Sequence, residues 1–230
     1  MKFTNKPLLL ISFLITSAIY TYAHMYDTMW LKYWSKPFLM PLLAFYYVSI
    51  AKIIDAKFLI ALFVAFCGDL FFLSNKEFFF VLGMTCFLVF ILLNMIIITK
   101  RIGEIKLATF YLTILPFILI CMAIISIYFG DVGLMKVLFI IYASVLGLYG
   151  AFALYWYIQE KNKWALLNLI GVLFFFLAAV SKGLKTVEGP NKLYTILNMI
   201  FYIASMLLIA TSYANHTIDD RKNSNRQLFK

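Results

Sequence analysis

One acidic residue lies well inside an apolar stretch of this sequence, and it is the first candidate for chemistry. Asp69 stands between Gly68 and Leu70, with apolar residues on both sides. A carboxylate inside an apolar segment is costly, so such residues usually mark a functional site or an ion pair. We therefore interpret Asp69 as a general acid or base, or a ligand of a polar substrate. The alternative interpretation is a carboxylate that pairs with a lysine and serves stability alone.

Lys36 is the second candidate, because it precedes Pro37 and Pro41 at the start of another apolar stretch. Proline is well tolerated in the first turn of a helix, so both prolines predict a helix start at this point. Two consecutive antiparallel helices would place Lys36 and Asp69 in the same layer of a bundle. An ion pair between them is then within reach, although the sequence alone does not show the contact.

Three further polar residues lie within apolar stretches and are candidate substrate-binding residues. Asn94 is expected to seek a partner across a helix interface. Tyr142 and Tyr202 stand nearer one end of their stretches, and the competing interpretation for each is an aromatic that only packs.

No motif in the sequence predicts a metal site or a cofactor. His24 and His216 are expected at opposite ends of the protein, and no H-E-x-x-H, P-loop or G-x-S-x-G motif is present. The 20 basic residues are scattered in small groups between apolar stretches, so they do not form the continuous surface that nucleic-acid binding requires. We expect no metal, no cofactor and no nucleic-acid partner.

The elements that position these residues follow from the composition. Of the 230 residues 64% are hydrophobic and 13% charged, with a mean hydropathy of +0.94. A soluble fold of this size leaves much of its surface in water, which excludes a soluble enzyme, a disordered chain and a disulfide scaffold. Apolar stretches of about 20 residues predict membrane helices. We predict an all-α polytopic bundle of about eight transmembrane helices, at 7–26, 37–54, 58–74, 78–99, 107–128, 134–158, 164–181 and 193–213.

Basic residues between the spans predict the orientation of the bundle. Thirteen Lys and Arg residues fall on the side of the two termini, and seven fall on the other side. The positive-inside rule then places both termini in the cytoplasm of a multi-pass cell-membrane protein. Residues 1–213 are expected to form one membrane domain, and 214–230 a polar cytoplasmic tail. Lys2 and Lys6 before the first span also fit a signal peptide, but the cleavage site is poor, so we expect the span to be retained.

Several motifs resemble the YhhN-like lysoplasmalogenase family over about residues 30–213. Lys36, Pro37 and Pro41 match the second-span pattern of the family, and Gly68 with Asp69 matches the third. Phe80, Gly83, Phe87, Tyr142, Gly171, Tyr202 and Ala204 fit further positions. The resemblance implies an eight-helix membrane protein that cleaves the vinyl ether bond of lysoplasmalogens without a cofactor, releasing a fatty aldehyde and a glycerophospho-base. Its partner is then a membrane lysolipid.

The chain departs from the family pattern at polar positions. Ile91 stands where the family has a His and Asn94 where it has a Tyr, while Ala178 and Ala179 replace a Ser-Asp pair. Loss of a positioned acid or base typically lowers a rate by about 10²–10⁴-fold. Lys182 lies three residues beyond Ala179, on about the same helix face, and is a further candidate that neutralises Asp69 or binds substrate.

Three functions therefore remain open from the sequence. The first is a membrane hydrolase of ether lysolipids in which Asp69 and Lys36 are catalytic. The second is a non-catalytic relative that binds or senses lipid. The third is a small-molecule or proton-coupled transporter, against which stands the scarcity of polar residues at mid-membrane.

Overall fold

The computed structural model describes residues 6–74, 76–127, 133–189 and 191–216. Within them the chain forms eight helices and no strand, which confirms the all-α prediction. The helices are α1 (Lys6–Met25), α2 (Met29–Ile50), α3 (Ala56–Phe71), α4 (Glu77–Arg101), α5 (Leu107–Ile127), α6 (Gly133–Glu160), α7 (Lys163–Glu188) and α8 (Lys192–Asn215).

Five of these helices are long and apolar enough to cross a membrane by length and composition, namely α1, α4, α6, α7 and α8. Helix α5 contributes the shorter apolar segment Leu107–Met122. Helix α3 has 16 residues, which is too short to be counted among these five, and α2 is not among them either. The architecture is a helical membrane bundle. We call the end where α1 ends and α2 begins the outer end, following the orientation expected from the charges.

The prediction that α2 begins at residue 37 is wrong, because the helix begins eight residues earlier at Met29. Pro37 and Pro41 consequently lie inside the helix rather than in its first turn. Each proline removes one hydrogen bond to the carbonyl four residues before it, which neighbouring helices tolerate in a bundle. The helix also ends at Ile50, so it does not have to accommodate Lys52 within the membrane.

Helix α7 extends beyond its predicted end at residue 181 and reaches Glu188. Lys182 and Lys185 therefore belong to the helix rather than to a loop. At the other end of the chain, α8 reaches Asn215 and closes on His216. The remainder of the predicted tail, 217–230, lies outside the described residues.

The helices pack as two halves of four. In each half they contact one another in chain order, α1 to α4 and α5 to α8, and the halves meet where α8 contacts α1 and α2 and where α4 contacts α6. Helices α2, α3, α4, α6, α7 and α8 thus form a closed ring. Helix α1 lies outside it against α2 and α8, and α5 lies outside it against α6. Helices α3 and α7 occupy equivalent places in the two halves.

Aromatic residues mark the outer membrane–water boundary. Trp30 and Trp34 lie at the start of α2 and are 70% and 60% exposed. Both side chains are large and amphipathic. Exposed tryptophans of this kind concentrate at headgroup level. Lys36 follows within one further turn, so it lies just below that boundary and points inward, where only 5% of it is exposed.

A glycine permits the close approach of α7 and α8. A Cβ atom on Gly171 would lie 2.9 Å from Ile209 Cγ1 and 3.3 Å from the backbone nitrogen of Ile209. The backbone atom cannot move aside by a change of rotamer. Small residues at such contacts allow membrane helices to pack closely.

We expect Gly171→Val to destabilise the bundle by about 1–3 kcal/mol, because the added side chain must push α8 away from α7. Thermal unfolding of the detergent-solubilised protein measures the effect. Leu177→Ala, on an exposed face of the same helix, is the matched control and should unfold close to the wild-type temperature. Equal melting temperatures for wild type and Gly171→Val would contradict this packing.

Candidate active site

The ring of helices encloses a cavity of about 100 Å³ at the outer end of the bundle. Its wall is mostly aromatic and apolar, and a few charged and polar side chains converge on it. This volume accommodates several water molecules or part of a headgroup. The lining residues come from every helix of the ring and from α1: Tyr20, Lys36, Asp69, Phe72, Phe80, Met84, Phe87, Phe139, Tyr142, Phe175, Ala178, Ala179, Lys182, Gly183, Asn198, Met199 and Tyr202.

Asp69 and Lys36 meet in this cavity as a buried ion pair. Lys36 Nζ lies 3.5 Å from Asp69 Oδ1, and the two side chains are only 6% and 4% exposed. Tyr202 donates its hydroxyl to the other carboxylate oxygen, Oδ2, at 2.6 Å. The carboxylate is therefore held on both sides, by α2 and by α8. Asp69 therefore pairs with a lysine, as the alternative interpretation of the sequence proposed, and it also lines a cavity.

Local packing explains why Asp69 faces inward. Gly68, one residue earlier, lies against α4, where a Cβ atom would come within 3.0 Å of Cys86 Cβ and of the Phe87 ring. This contact brings the last turn of α3 close to α4. Asp69 then points across the cavity, where Phe87 and Tyr202 meet edge to face with their ring centroids 5.8 Å apart.

Lys182 reaches the same cavity from α7. Its Nζ lies 2.7 Å from the centroid of the Phe72 ring and 5.4 Å from that of Phe80. Lys36 Nζ lies 5.5 Å from the same Phe72 centroid. The Nζ atoms of both lysines thus lie within the distance at which cations contact the face of an aromatic ring.

Tyr142 also lines the cavity, from α6, whereas Asn94 does not. Asn94 is fully buried on α4, and its Nδ2 donates to the carbonyl of Phe90 at 2.7 Å. The structure thus brings together Asp69, Lys36, Tyr202, Tyr142 and Lys182 of the predicted site residues. It leaves Asn94 in the protein interior outside the cavity.

Two lining residues with polar side-chain groups were not singled out from the sequence. Asn198 lies on α8 one turn before Tyr202, and its Nδ2 donates to the carbonyl of Ala178 at 2.7 Å. Tyr20, on α1, is almost fully buried and lies with its ring centroid 5.6 Å from Lys36 Nζ. Asn198 is polar within an apolar stretch, which is the same signal that singled out Asn94. Tyr20 stands near one end of its apolar stretch, as Tyr142 and Tyr202 do, so the same signal could have found it.

Two of the altered polar positions, Ala179 and Ile91, have different places in the structure. Ala179 lines the cavity, so the missing carboxylate is a loss from the site itself. Ile91 is fully buried in the apolar core and does not line the cavity. The replacement of the family's His by Ile91 therefore changes the core and not the cavity wall.

Charges at the mouth of the cavity are mostly positive. His24, at the end of α1, lies within electrostatic range of Lys32, Lys36, Lys182 and Lys185. Among the described residues, an acidic neighbour is Asp27, in the connection between α1 and α2. A hydrogen bond from Lys32 and its positive charge hold the pKa of Asp27 below its ordinary value.

Among the described residues no group of three or more His, Cys, Asp and Glu side chains lies close enough to hold a metal ion. The titratable side chains among the residues that line the cavity are one carboxylate, two lysine amines and phenol hydroxyls.

We expect Lys36→Met to destabilise the protein by about 3–5 kcal/mol, because it leaves the Asp69 carboxylate buried without its cation. Thermal unfolding in detergent measures this. Lys32→Met is the matched control, since Lys32 pairs with Asp27, whose side chain is 79% exposed, and a surface pair contributes little. Removing both members of the buried pair, with Lys36→Met and Asp69→Leu together, should destabilise less than Lys36→Met alone. A Lys36→Met protein as stable as the Lys32→Met protein would refute the structural importance of the pair.

The comparisons with known proteins agree with this architecture. No curated protein and no solved structure matches the chain significantly. The sequence pattern of the YhhN family matches residues 31–213, which span the chain from the first turn of α2 to the last turn of α8 and include every cavity-lining residue except Tyr20. Because the match covers well over half of the chain, this membrane protein belongs to the YhhN family.

Proposed function

We propose that the chain hydrolyses the vinyl ether bond of lysoplasmalogens in the cell membrane, releasing a fatty aldehyde and a glycerophospho-base. The observation that carries this proposal is the Lys36–Asp69 pair, to which Tyr202 donates a hydrogen bond. The pair lines a cavity just below the membrane boundary at the outer end of the bundle. Membership of the YhhN family supports it.

The reaction adds one molecule of water to the substrate. A proton goes to the alkene carbon farther from the ether oxygen, which leaves an oxocarbenium ion. Water adds to the carbon next to oxygen and loses a proton, and the hemiacetal formed breaks its C–O bond to give the aldehyde and an alcohol. Catalysis therefore needs a group that gives a proton and one that receives it back.

The Lys36–Asp69 pair meets this requirement with the residues present. It holds one proton between an amine and a carboxylate, so it gives a proton to the alkene and receives one from the attacking water. A carboxylate beside the reacting carbon also stabilises the positive charge of the oxocarbenium ion. Tyr202 fixes the orientation of the carboxylate through the 2.6 Å hydrogen bond to Oδ2.

The cavity suits one part of a lysolipid. Its volume of about 100 Å³ holds the region around the vinyl ether, while the fatty chain extends between helices toward the lipid. Phe87, Phe139 and Phe175 provide apolar contacts for the beginning of that chain.

A non-catalytic lipid-binding protein is the second candidate, and one observation favours it. Ala179 leaves the cavity wall without the second carboxylate that the family pattern has in this segment. A protein of this kind would bind lysolipid at the same residues without forming aldehyde.

We expect Asp69→Asn to lower aldehyde release from lysoplasmalogen by about 10²–10⁴-fold, because the amide neither gives nor receives the proton. Aldehyde formation by purified protein in mixed micelles measures the rate. Asp27→Asn, at the exposed mouth, is the matched control and should retain the wild-type rate. No aldehyde from the wild-type protein, together with saturable lysolipid binding, would favour the binding protein over the hydrolase.

A gain of activity tests the site from the opposite direction. Ala179→Asp restores a carboxylate to the cavity wall, and we expect it to raise the rate about ten-fold or more, part of the effect of a positioned acid or base. Ala179→Asn has nearly the same shape without a titratable group and should leave the rate unchanged. Equal rates for the two variants would show that a second acid at this position has no catalytic role.

A further inference from the structure

We infer that Asn198 binds the free hydroxyl on the central carbon of the lysolipid glycerol, so that the cavity selects lipids with one chain over lipids with two. This inference rests on the proposed function, because it places a lysolipid with its vinyl ether at the Lys36–Asp69 pair. It adds the residue that recognises the group by which a lysolipid differs from an intact phospholipid.

The first support is the orientation of the Asn198 side chain. Its Nδ2 donates to the carbonyl of Ala178 on α7 at 2.7 Å. Because a carbonyl oxygen only accepts hydrogen bonds, the nitrogen of the amide must be the atom that faces it. The amide oxygen, Oδ1, is then directed away from that carbonyl. Since Asn198 lines the cavity, this oxygen is an acceptor for a hydroxyl that enters it.

The second support is the apolar character of the wall around this acceptor. Among the described residues that line the cavity, Asn198 is the only amide, and most of the others are aromatic or aliphatic. A lipid that displaces water from such a wall leaves the acceptor without a hydrogen bond unless the lipid supplies a donor. A site built to bind a hydroxyl in this way strongly rejects analogues that lack it.

The third support is the order of the polar groups with depth. Helix α8 begins at the outer end, and Asn198 lies one turn before Tyr202, so it is about 6 Å nearer the outer end along the helix. Tyr202 in turn donates to Asp69. In a lysolipid the central carbon lies between the carbon that carries the phosphate and the carbon that carries the vinyl ether. A vinyl ether at Asp69 with the phosphate toward the outer surface therefore places the hydroxyl on the side of Asn198.

The fourth support is the rigidity of the arrangement. Asn198 and Tyr202 belong to one helix, and Gly171 lets that helix pack closely against α7. The hydrogen bond from Asn198 to Ala178 joins the same two helices. Groups held on packed helices keep a precise spacing. The amide and the carboxylate consequently contact two different parts of one substrate without competing for the same atoms.

A phospholipid with two chains carries an ester at the central carbon, and an ester has no hydrogen to donate. Its oxygens would face the Asn198 oxygen, so two acceptors would meet in an apolar wall. The same residue thus favours the lysolipid and disfavours the intact lipid.

The test compares the binding of two uncleavable lipids that differ by one hydroxyl, so it does not depend on catalysis. The probes are 1-O-alkyl-glycero-3-phosphocholine and its 2-deoxy analogue with the same saturated chain, titrated into the full-length protein in a non-ionic detergent. We expect the lipid with the hydroxyl to bind about ten-fold more tightly, the effect of a hydrogen bond to an acceptor that is otherwise unpaired. Equal affinities, or tighter binding of the deoxy lipid, would overturn the proposal without any variant.

Variants then locate the preference. Asn198→Leu has a similar size without the amide, and it should reduce the preference to about two-fold or less by weakening only the binding of the hydroxyl lipid. Asn215→Leu is the matched control, because Asn215 is also on α8 and its Nδ2 also donates to a backbone carbonyl, that of Thr211, at 2.9 Å. Asn215 lies at the inner end of the helix, outside the cavity, and its variant should keep the wild-type preference.

The deoxy lipid separates recognition from a structural role of Asn198. If Asn198→Leu weakens the binding of both lipids by the same factor, the preference persists and the assignment to Asn198 is overturned. Asn198→Ala repeats the comparison with a smaller side chain, and it should lose the preference in the same way.

Aldehyde release distinguishes this inference from the proposed function. A protein that releases no aldehyde but keeps the hydroxyl preference would refute the hydrolase and leave this binding site standing. Equal kcat/KM values for lysoplasmalogen and its 2-deoxy analogue would keep the hydrolase and overturn the role of Asn198.

Discussion

The rest of the outer half of the protein depends on the burial of one carboxylate in an apolar bundle. A charged group taken out of water without a partner costs several kcal/mol, so Asp69 requires groups that satisfy both of its oxygens. Lys36 and Tyr202 supply them, which ties α2, α3 and α8 together at one level. The cavity lies where these helices meet. The same three residues therefore stabilise the bundle and, in the proposed function, form its reactive centre, so a substitution at any of them is expected to affect both properties.

Much of this arrangement was predictable from the sequence, because hydropathy identifies membrane helices directly. The eight helices and the placement of Lys36 and Asp69 in one layer follow from residue types and spacing, and the family was identified by the resemblance of its motifs. The start of α2 did not follow, because Trp30 and Trp34 belong to the interface, where a helix continues although its composition is no longer that of the hydrocarbon core. The last turns of α7 were not predicted for the same reason, because they contain Lys182 and Lys185. Hydropathy shows which residues lie in the hydrocarbon core of the membrane. A helix can extend beyond that core into the interface, so its ends are not marked by hydropathy.

Which polar residues reach the cavity was harder to predict than which helices form. Asn94 and Asn198 are both amides in apolar helices, yet only Asn198 lines the cavity. The difference is the rotation of each helix about its own axis, which side-chain packing against neighbours decides. Helix α4 is apolar nearly all round, so its sequence does not show which face points inward. Contacts such as Gly68 against Phe87 fix that rotation, and they involve residues far apart in the chain.

The depth of the site relates the fold to the proposed chemistry. In a lysoplasmalogen the vinyl ether lies between the polar headgroup and the fatty chain, hence at the boundary between interface and hydrocarbon. Asp69 is two residues before the end of α3, so it lies about 3 Å from the helix end, and Lys36 lies within two turns of the exposed Trp30 and Trp34. A lysolipid whose headgroup stays at the level of the tryptophans consequently presents its vinyl ether at the level of the carboxylate. The acid need not move, and the substrate need not leave the membrane.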